Sequence, residues 1–352
     1  MNYENEMKIC INLAKQGIGK VAPNPLVGCV VLNKDNIIVS QGYHECYGQN
    51  HAERNALLNI KDEESFGGTL VVNLEPCCHY GKTPPCTDLI IKKGIKKVVI
   101  GMRDVNPLVA GKGIKKLKDA GIDVVEGVLE SDCKKLNEIF IKNMTYHEPF
   151  IAIKTATTID GKIATATGSS KWITSERARN KVKLIREKYD AILTSSSTII
   201  ADNPKMLHKC KIVIDRELKT DFNNANIYKT GKSYVFYDNN IKLDAKYLKN
   251  KQNIEFIPTE VINNKIDVCK VLSKIYELGI MSVLVEAGGM INGSFLQYTD
   301  KIYHFIAPKI LGDNNALSCF NYRHISSIDE SVNFKICDTK NFDPDVLITY
   351  TR

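Results

Sequence analysis

The sequence predicts an α/β protein with two domains, one at 1–147 and one at 148–352. Apolar strand-like runs alternate with helical spacing through the first half, and this alternation favours a largely parallel sheet with helices on both faces. The alternation breaks at M-T-Y-H-E-P-F around Pro149 and then starts again with a new strand-like run. With 352 residues, the chain has room for two hydrophobic cores.

The first half is predicted to begin with a helix over 4–17, which has apolar residues at helical spacing and Gly17 as its terminator. A loop with two prolines then leads into a buried strand. Further strands are predicted at 37–43, 69–75, 97–102 and 123–125, and further helices at 51–58, 83–93, 112–120 and 131–142.

The composition is that of an ordinary globular protein, because 43% of the residues are hydrophobic and 25% are charged. No apolar run approaches the roughly 18 residues that a membrane span requires, and the acidic, polar N-terminus is unlike a signal peptide. Eleven scattered cysteines indicate reduced thiols and a cytoplasmic protein. The net charge of +8 suits an anionic ligand but is spread over mixed-sign segments. We expect a homo-oligomer that binds neither nucleic acid nor membrane.

The stretch at 51–86 carries the chemistry of the first half. His51 precedes a helix, and Cys77 and Cys86 follow a strand, so one imidazole and two thiols form the ligand set of a tetrahedral zinc with one open position. Thr83-Pro84-Pro85 is the expected N-cap and first turn of a helix, which places Cys86 where free N–H groups favour a thiolate. Glu53 is the expected proton carrier, since zinc beside a carboxylate activates water.

The spacing of these residues leaves several interpretations. H-A-E and P-C match the H-x-E…P-C-x-x-C signature of nucleobase deaminases, but the second thiol lies nine residues after Cys77 instead of three. A structural zinc knuckle with Cys78 or His79 as a fourth ligand is one alternative, and a chance cluster is another. Closed structural sites normally use four protein ligands, so we expect an open catalytic site in which Cys78 and His79 are not ligands.

The longer P-C-x8-C form, ending in G-K-T-P-P-C, resembles the deaminase half of the bifunctional deaminase/reductase family of riboflavin biosynthesis. The resemblance implies a cytidine-deaminase-like three-layer α/β/α domain. P-N-P-L-V-G resembles the same stretch of that family, which implies that Asn24 lines a pyrimidine pocket; alternatively, Asn24 is a turn residue held between two prolines. N-P-L-V-A-G-K-G at 106–113 resembles a family loop that either borders the substrate or is only a connection.

The second half is predicted to start with a strand in PFIAIKTATTIDGKIA, with a polar kink at 157–161. Thr174 or Ser175 is expected to cap a helix over RARNKVKLIREKYD, and Asp190 to lead into a strand AILTSSSTIIADNP. Further strands are predicted in KIVID, SYVFYD, IEFIP, VLVEA and IYHFIAP, with a helix near 265–278.

A strand, a glycine turn and a helix start make up SVLVEAGGMINGSFL. Such a turn exposes N–H groups to a phosphate, although the glycines at 288, 289 and 293 do not form a G-x-G-x-x-G motif. Together with T-x-D-G-K, W-I-T-S, T-x-x-A-D-N-P and V-E-x-G, the turn resembles the reductase half of the same family. That resemblance implies a dihydrofolate-reductase-like α/β fold and NADPH as cofactor.

The same resemblance implies a set of binding residues. The cofactor is expected against Ala156, Trp172, Thr198, Asp202, Asp215, Gly288, Gly289, Met290, Ile291, Asn292, Gly293 and Ser294. The phosphorylated substrate is expected against Ser170, Arg186, Met206, Lys209 and Glu286. Lys209 stands where the family usually has arginine, so it can neutralise a phosphate but lacks the bidentate fork. Structural alternatives are a core anchor for Trp172, a helix surface charge for Arg186 and an Asx-turn for Asp202.

The resemblance implies two reactions on a small phosphorylated pyrimidine. Zinc at His51, Cys77 and Cys86, with Glu53, would serve hydrolytic removal of an amino group, and NADPH would then reduce the ribosyl group to ribityl. Lys154 and Glu286 are candidates for polar assistance in the reduction. Two rival hypotheses are a nucleic-acid deaminase with an appended domain, which the basic pI permits, and a zinc-stabilised scaffold without catalysis.

Overall fold

The structure is a computed structural model that describes residues 2–80, 84–107, 109–243, 252–321 and 324–352. The chain forms two compact units, Met1–His147 and Glu148–Arg352. Each unit has its own sheet and its own hydrophobic core. In the part of the chain that the structure describes, no helix combines the length and the apolar character needed to cross a membrane.

The first unit is built on a five-stranded sheet in the order β2-β1-β3-β4-β5. Its strands are β1 (Gly28–Leu32), β2 (Ile38–Tyr43), β3 (Thr69–Leu74), β4 (Lys97–Met102) and β5 (Asp123–Glu126). β3, β4 and β5 are parallel, whereas β1 is antiparallel to both β2 and β3. The prediction of a largely parallel sheet is therefore wrong for β1 and β2. A short turn at 33–37 joins these two strands as a hairpin without a crossover helix.

Helices cover both faces of this sheet, which gives three layers. The helices are α1 (Glu4–Ala14), α2 (Ala52–Leu58), α3 (Asp62–Ser65), α4 (Cys86–Lys92), α5 (Lys112–Asp119), α6 (Glu130–Leu136) and α7 (Glu138–Tyr146). α1 contacts α6, and α4 contacts both α2 and α5, so the two groups form separate layers. β1 and β3 are buried along their whole length between them, as strands covered on both faces must be.

Three helix boundaries differ from the sequence prediction. α1 ends at Ala14 and a short 3-10 helix at Lys15–Gly17 follows it, so Gly17 does not end the α-helix as predicted. The helix predicted from 83 begins at Cys86 with Pro85 before it, so the first turn assigned to Pro84-Pro85 is wrong; Thr83 lies outside the described residues. The single helix predicted at 131–142 is two helices that meet at Asn137. The Asn137 side chain turns inward and bonds both backbone groups of Leu26, accepting from N–H at 2.8 Å and donating to the carbonyl at 3.0 Å.

The second unit is built on a sheet in which the structure describes nine strands, in the order β11-β10-β9-β8-β14-β6-β15-β18-β17. These strands are β6 (Phe150–Thr157), β8 (Ala191–Ser195), β9 (Cys210–Ile214), β10 (Lys232–Asp238), β11 (Ile254–Thr259), β14 (Ser282–Val285), β15 (Lys301–Ile306), β17 (Lys335–Phe342) and β18 (Asp345–Thr351). All pairings from β11 to β15 are parallel, and β18 is antiparallel to its two neighbours. The carboxyl ends of the parallel strands therefore share one edge.

Smaller elements complete the second unit. They are the strands β7 (Lys162–Ala164), β12 (Val261–Ile262), β13 (Lys265–Ile266) and β16 (Leu317–Ser318) and the helices α8 (Glu176–Arg186), α9 (Ser196–Asp202), α10 (Val268–Glu277) and α11 (Gly289–Phe295). Ser175 caps α8 by accepting from Ala178 N–H at 3.3 Å, which decides between the two caps that the sequence allowed.

The strand predicted over 191–204 is wrong beyond Ser195, where the structure has a helix. Only β8 is extended, and α9 follows it directly because the Ser195 side chain accepts from Thr198 N–H at 3.4 Å and starts a helix. The hairpin of β17 and β18 was not predicted. β17 is the last strand of the sheet and mostly exposed, so it lacks the apolar alternation by which a strand is found in a sequence.

Candidate functional site

His51, Cys77 and Cys86 meet in the first unit although they lie on three separate segments. His51 is the residue before α2, Cys77 follows the end of β3, and Cys86 is the first residue of α4. His51 Nδ1 lies 3.5 Å from Cys77 Sγ and 3.4 Å from Cys86 Sγ. All three atoms lie within 4.8 Å of one another.

These separations fit one tetrahedral zinc. Zn–N and Zn–S bonds of about 2.1 and 2.3 Å at the tetrahedral angle place nitrogen and sulfur about 3.6 Å apart. Among the residues that the structure describes, the cluster of metal-binding side chains contains only these three, and neither Cys78 nor His79 belongs to it. Three protein ligands leave the fourth position for water or substrate, which is the arrangement of catalytic zinc.

The Cys77 and Cys86 thiols shift each other's pKa in opposite directions. The Cys86 thiol and the His51 ring stabilise the Cys77 thiolate, which lowers the pKa of Cys77 to about 4 despite burial. The hydrogen bond to Cys77, together with burial, raises the pKa of Cys86 well above its usual range. The opposite shifts favour one thiol and one thiolate, so the thiolate that the sequence predicts at Cys86 requires a metal to displace the remaining proton.

Glu53 stands beside this cluster on the first turn of α2. Its side chain is buried at 3% exposure, and Oε2 is one of the buried atoms for which the described part of the chain provides no hydrogen-bond partner. Burial raises the pKa of the Glu53 carboxyl, while the nearby His51 ring opposes that effect. A desolvated carboxyl with one unused oxygen can take up and return a proton.

The cluster opens into a cavity of about 320 Å³, which is also lined by Asn24 and His44. His44 Nδ1 lies 2.9 Å from the Asn50 carbonyl oxygen, so Nδ1 carries the ring proton and Nε2 is an acceptor. The Asn24 Nδ2 donates to that acceptor at 3.1 Å. This orients the Asn24 amide with its oxygen away from His44, which is compatible with the pocket role expected of Asn24.

The cavity residues that were not recognised in the sequence include His44, Glu75 and Asp104. Glu75 follows the last residue of β3, and Asp104 follows β4 by two residues. In sheets with parallel strands, ligands bind outside the carboxyl ends of the strands, and this rule applied to β3 and β4 would have identified both. His44 directly follows β2, which is antiparallel to its neighbour, and has no such signal.

In the second unit, the residues expected to bind the cofactor lie near the carboxyl ends of the parallel strands. Ala156 is the next-to-last residue of β6, Thr198 follows β8, Asp215 follows β9, and the residues at 288–294 follow β14. Since these strands pair in parallel, the four positions occur along one edge of the sheet. Ligands in open α/β sheets bind at that edge.

The surroundings of individual cofactor candidates differ. Trp172 is 62% exposed and stacks under the Arg179 guanidinium at 4.3 Å, so it is not a core anchor. Asp202 lies 3.7 Å from Lys171 Nζ. Asp215 is fully buried and accepts from Lys219 N–H, Thr220 N–H and Thr220 Oγ1, so its carboxylate is engaged within the fold.

The expected substrate residues include a buried charge cluster. The Glu286 carboxylate accepts from Arg186 at 2.6 Å (Nε) and 3.0 Å (Nη2), and Lys154 Nζ lies 3.4 Å away. Burial acts to raise the pKa of Glu286, but Lys154 and Arg186 outweigh it and the pKa is lowered. Arg186 is thus not a simple surface charge. Among the others, Ser170 is half-buried, Met206 is packed in a core cluster and Lys209 is exposed.

Two family descriptions match the chain, one in each unit. Residues 1–102 match the cytidine and deoxycytidylate deaminase zinc-binding region, and residues 149–348 match the RibD C-terminal domain. The fold and the site thus define a two-unit enzyme in which a zinc-dependent deaminase is followed by a reductase. Zinc and NADPH are its cofactors.

Full-length relatives narrow this class to one family. The chain is 41% identical to the riboflavin biosynthesis protein RibD of Actinobacillus pleuropneumoniae, over 98% of this chain and 94% of the relative. It is 39% identical to RibD of Aquifex aeolicus, over 99% and 98% of the two chains. The chain belongs to the RibD family of bifunctional deaminase/reductases of riboflavin biosynthesis.

Solved structures agree with this assignment. The diaminohydroxyphosphoribosylaminopyrimidine deaminase/5-amino-6-(5-phosphoribosylamino)uracil reductase of Thermotoga maritima matches with a TM-score of 0.88 and 38% identity, over 99% of this chain and 98% of that one. RibD of Acinetobacter baumannii matches with a TM-score of 0.86 and 32% identity, again over 99% and 98%. The cytidine-deaminase-like and reductase-like folds expected from the sequence are confirmed.

Proposed function

We propose that residues 1–147 remove an amino group from 2,5-diamino-6-(5-phosphoribosylamino)pyrimidin-4(3H)-one and that residues 148–352 then reduce the ribosyl group to ribityl. The product would be 5-amino-6-(5-phosphoribitylamino)uracil. One observation carries the first assignment: His51 and Cys77 of the three-residue His/Cys cluster line the same cavity as Glu53, a buried carboxylate with an unused oxygen.

In this proposal the side chains of the first unit divide the work. His51, Cys77 and Cys86 would hold zinc, which would supply Lewis-acid activation of a water near neutral pH. Glu53 accepts the proton of the attacking water and passes it to the departing amino group, so that ammonia leaves as a neutral molecule. The amide of Asn24, oriented by His44, positions the pyrimidine ring.

In the second unit, the proposed reduction takes place at the edge of the sheet where the parallel strands end. NADPH supplies a hydride, and the protein orients the donor and the sugar. The cofactor set named from the sequence, including Trp172 and the residues at 288–294, would hold NADPH. Ser170, Met206 and Lys209 would border the phosphorylated substrate, and the Lys154–Glu286–Arg186 cluster offers charged hydrogen-bond partners to the sugar.

Lys154 is the cation best suited to assist at the sugar. The Arg186 guanidinium makes two bonds to Glu286, whereas Lys154 Nζ makes a longer contact at 3.4 Å. The Lys154 side chain retains 19% exposure and the Arg186 side chain 27%, so both cations are partly accessible and the choice of Lys154 rests on its longer contact with Glu286. An ammonium so placed can donate to a developing alkoxide on the sugar.

Mass spectrometry of the products tests the proposal. The zinc-loaded protein is given the diaminopyrimidine substrate, first without NADPH and then with it. We expect one amino group to be exchanged for oxygen without NADPH, and two hydrogens to be added when NADPH is present. Reduction before deamination would reverse the proposed order, and an unchanged substrate under both conditions would refute the assignment.

We also propose a cytoplasmic location and a homo-oligomeric state. All eleven cysteines are free thiols, which suits a reducing compartment. Light scattering at several protein concentrations tests the oligomeric state, and a single species with the mass of one chain would refute it.

A further inference from the structure

Glu75 is a buried carboxylate with an unusual number of backbone partners. It is 3% exposed, and each of its oxygens accepts two N–H groups. Oε1 accepts from Gly113 at 3.0 Å and Ile114 at 3.2 Å, and Oε2 accepts from Gly111 at 3.0 Å and Asp104 at 3.2 Å. Hydrogen bonds to a charged acceptor are roughly twice as strong as those between neutral groups.

The four N–H groups belong to the segment 104–114, which leads from β4 into α5 and of which the structure describes residues 104–107 and 109–114. The N-terminal N–H groups of a helix have no partner within the helix, and Gly113 and Ile114 in the first turn of α5 obtain theirs from Glu75. The approach is close, because a Cβ added at Gly113 would lie 2.2 Å from the Pro76 carbonyl oxygen. The segment is thus fitted tightly against residues 75–76.

The same segment forms one wall of the deaminase cavity. Asp104, Asn106 and Val109 line the cavity that also contains His51 and Glu53. Asp104 is held at its N–H by Glu75, and the Asp104 carboxylate in turn accepts from Asn106 N–H at 2.8 Å. One side chain therefore controls where two polar groups of the wall stand.

Glu75 also lies two residues before the zinc ligand Cys77 in the same loop. A displacement of 104–114 relative to this loop would change the distance between the cavity wall and the zinc cluster. We propose that Glu75 is a positioning residue of the deaminase, whose carboxylate fixes 104–114 so that Asp104 and Asn106 present their polar groups to the substrate. This inference rests on the proposed deamination.

The experiment compares Glu75→Gln with the unchanged chain. Glutamine keeps the shape, but its NH2 group must face two N–H donors in place of an accepting oxygen, so two of the four bonds are lost. We expect zinc content and reductase activity to be unchanged, KM for deamination to rise at least about tenfold, and kcat to fall less. Amide hydrogen exchange should accelerate within 104–114 and not in β3.

Two further variants keep the test decisive. Glu75→Asp retains the charge and both oxygens, and its KM should lie between that of Glu75→Gln and that of the unchanged chain. Ser65→Ala removes a buried hydroxyl that donates to the Lys93 carbonyl at 3.1 Å and does not line the cavity, so it should leave KM unchanged. If Glu75→Gln fails to fold, Glu75→Asp carries the comparison.

The inference is overturned if Glu75→Gln has the KM and the exchange pattern of the unchanged chain. It is also overturned if the variant loses zinc and exchanges rapidly throughout the unit, since Glu75 would then be only structural. If the unchanged chain releases no ammonia, the proposed function fails, and the exchange pattern within 104–114, with zinc retained, still decides whether Glu75 positions the wall.

Discussion

The Arg186 guanidinium and the Glu286 carboxylate form a two-point ion pair, with N–O distances of 2.6 and 3.0 Å. Sequence reasoning assigned each residue separately to the substrate, and the structure shows that they bind each other. The pair joins the end of α8 to the residue after β14. Because Glu286 is only 7% exposed, its charge depends on its two cationic neighbours.

Replacing Glu286 by glutamine should therefore be costly. The change leaves Arg186 and Lys154 near each other without a counter-charge, and removing one partner of a buried pair costs about 3 kcal/mol. Denaturant unfolding of the second unit would measure this loss, and NADPH oxidation should fall with it. Glu277→Gln, which breaks an exposed pair with Lys274, should change stability by less than about 1 kcal/mol. Equal effects of both variants would contradict the role of the buried pair.

Glu53→Gln should abolish ammonia release and leave zinc bound. Glutamine fills the same space in the first turn of α2 but cannot carry a proton, and general acid–base catalysis contributes roughly 10²- to 10⁴-fold to a rate. Ammonia release measures the reaction, and metal analysis measures zinc. NADPH-dependent reduction of the deaminated substrate by the same sample serves as the internal control. Loss of zinc together with activity would mean that Glu53 supports the metal site and is not the proton carrier.

Much of the site could be predicted from the sequence because each residue of the His/Cys cluster is marked by the residues next to it in the chain. His51 before a helix, Cys77 after an apolar strand and Cys86 opening a helix are each defined by a few neighbouring residues. β3 lies in the sequence between His51 and the two cysteines, and the three side chains meet beyond its carboxyl end. The triad of side chains could thus be predicted from spacing and flanking elements, without knowledge of the remaining fold.

The features that sequence reasoning missed depend on contacts between distant segments. Asn137 ends α6 because its amide bonds Leu26, which is 111 residues away in the chain. Glu75 has four backbone partners that lie 29 to 39 residues after it. Neither pattern has a signature of residue types at fixed spacing, because the partners are backbone groups that any residue carries.

Zinc affinity should rise with pH. The Cys86 thiol keeps its proton in the absence of metal, since its pKa is raised, whereas Cys77, with a pKa of about 4, is already a thiolate near neutral pH. Metal must displace the proton of the Cys77–Cys86 pair and any proton on His51, whose pKa is raised mainly by its hydrogen bond to Cys77, so the dissociation constant of zinc should fall about tenfold for each pH unit from 6 to 8 per proton released. Chelator competition at pH 6, 7 and 8 measures the slope.

Cys78→Ser provides the control for the zinc titration. Cys78 is adjacent to Cys77 but is not one of the three clustered ligands, so its variant should show the same slope and the same affinity. A slope of zero for the unchanged chain would contradict the protonated state of Cys86. A large loss of affinity in Cys78→Ser would revive the four-ligand structural site.

Gly288→Ala and Gly289→Ala should affect different properties, cofactor binding and stability respectively, although the two glycines are adjacent. A Cβ at Gly289 would lie 2.1 Å from the Ser318 carbonyl oxygen, whereas a Cβ at Gly288 would meet nothing within 4 Å. Gly289→Ala should therefore destabilise the second unit by about 1–3 kcal/mol. Gly288→Ala should leave unfolding unchanged and, because this turn is proposed to hold NADPH, raise KM for NADPH severalfold. Thermal unfolding and initial rates of NADPH oxidation separate the two effects. An unchanged KM in Gly288→Ala would place the cofactor away from this glycine, and an unchanged melting temperature in Gly289→Ala would mean that the Ser318 segment gives way.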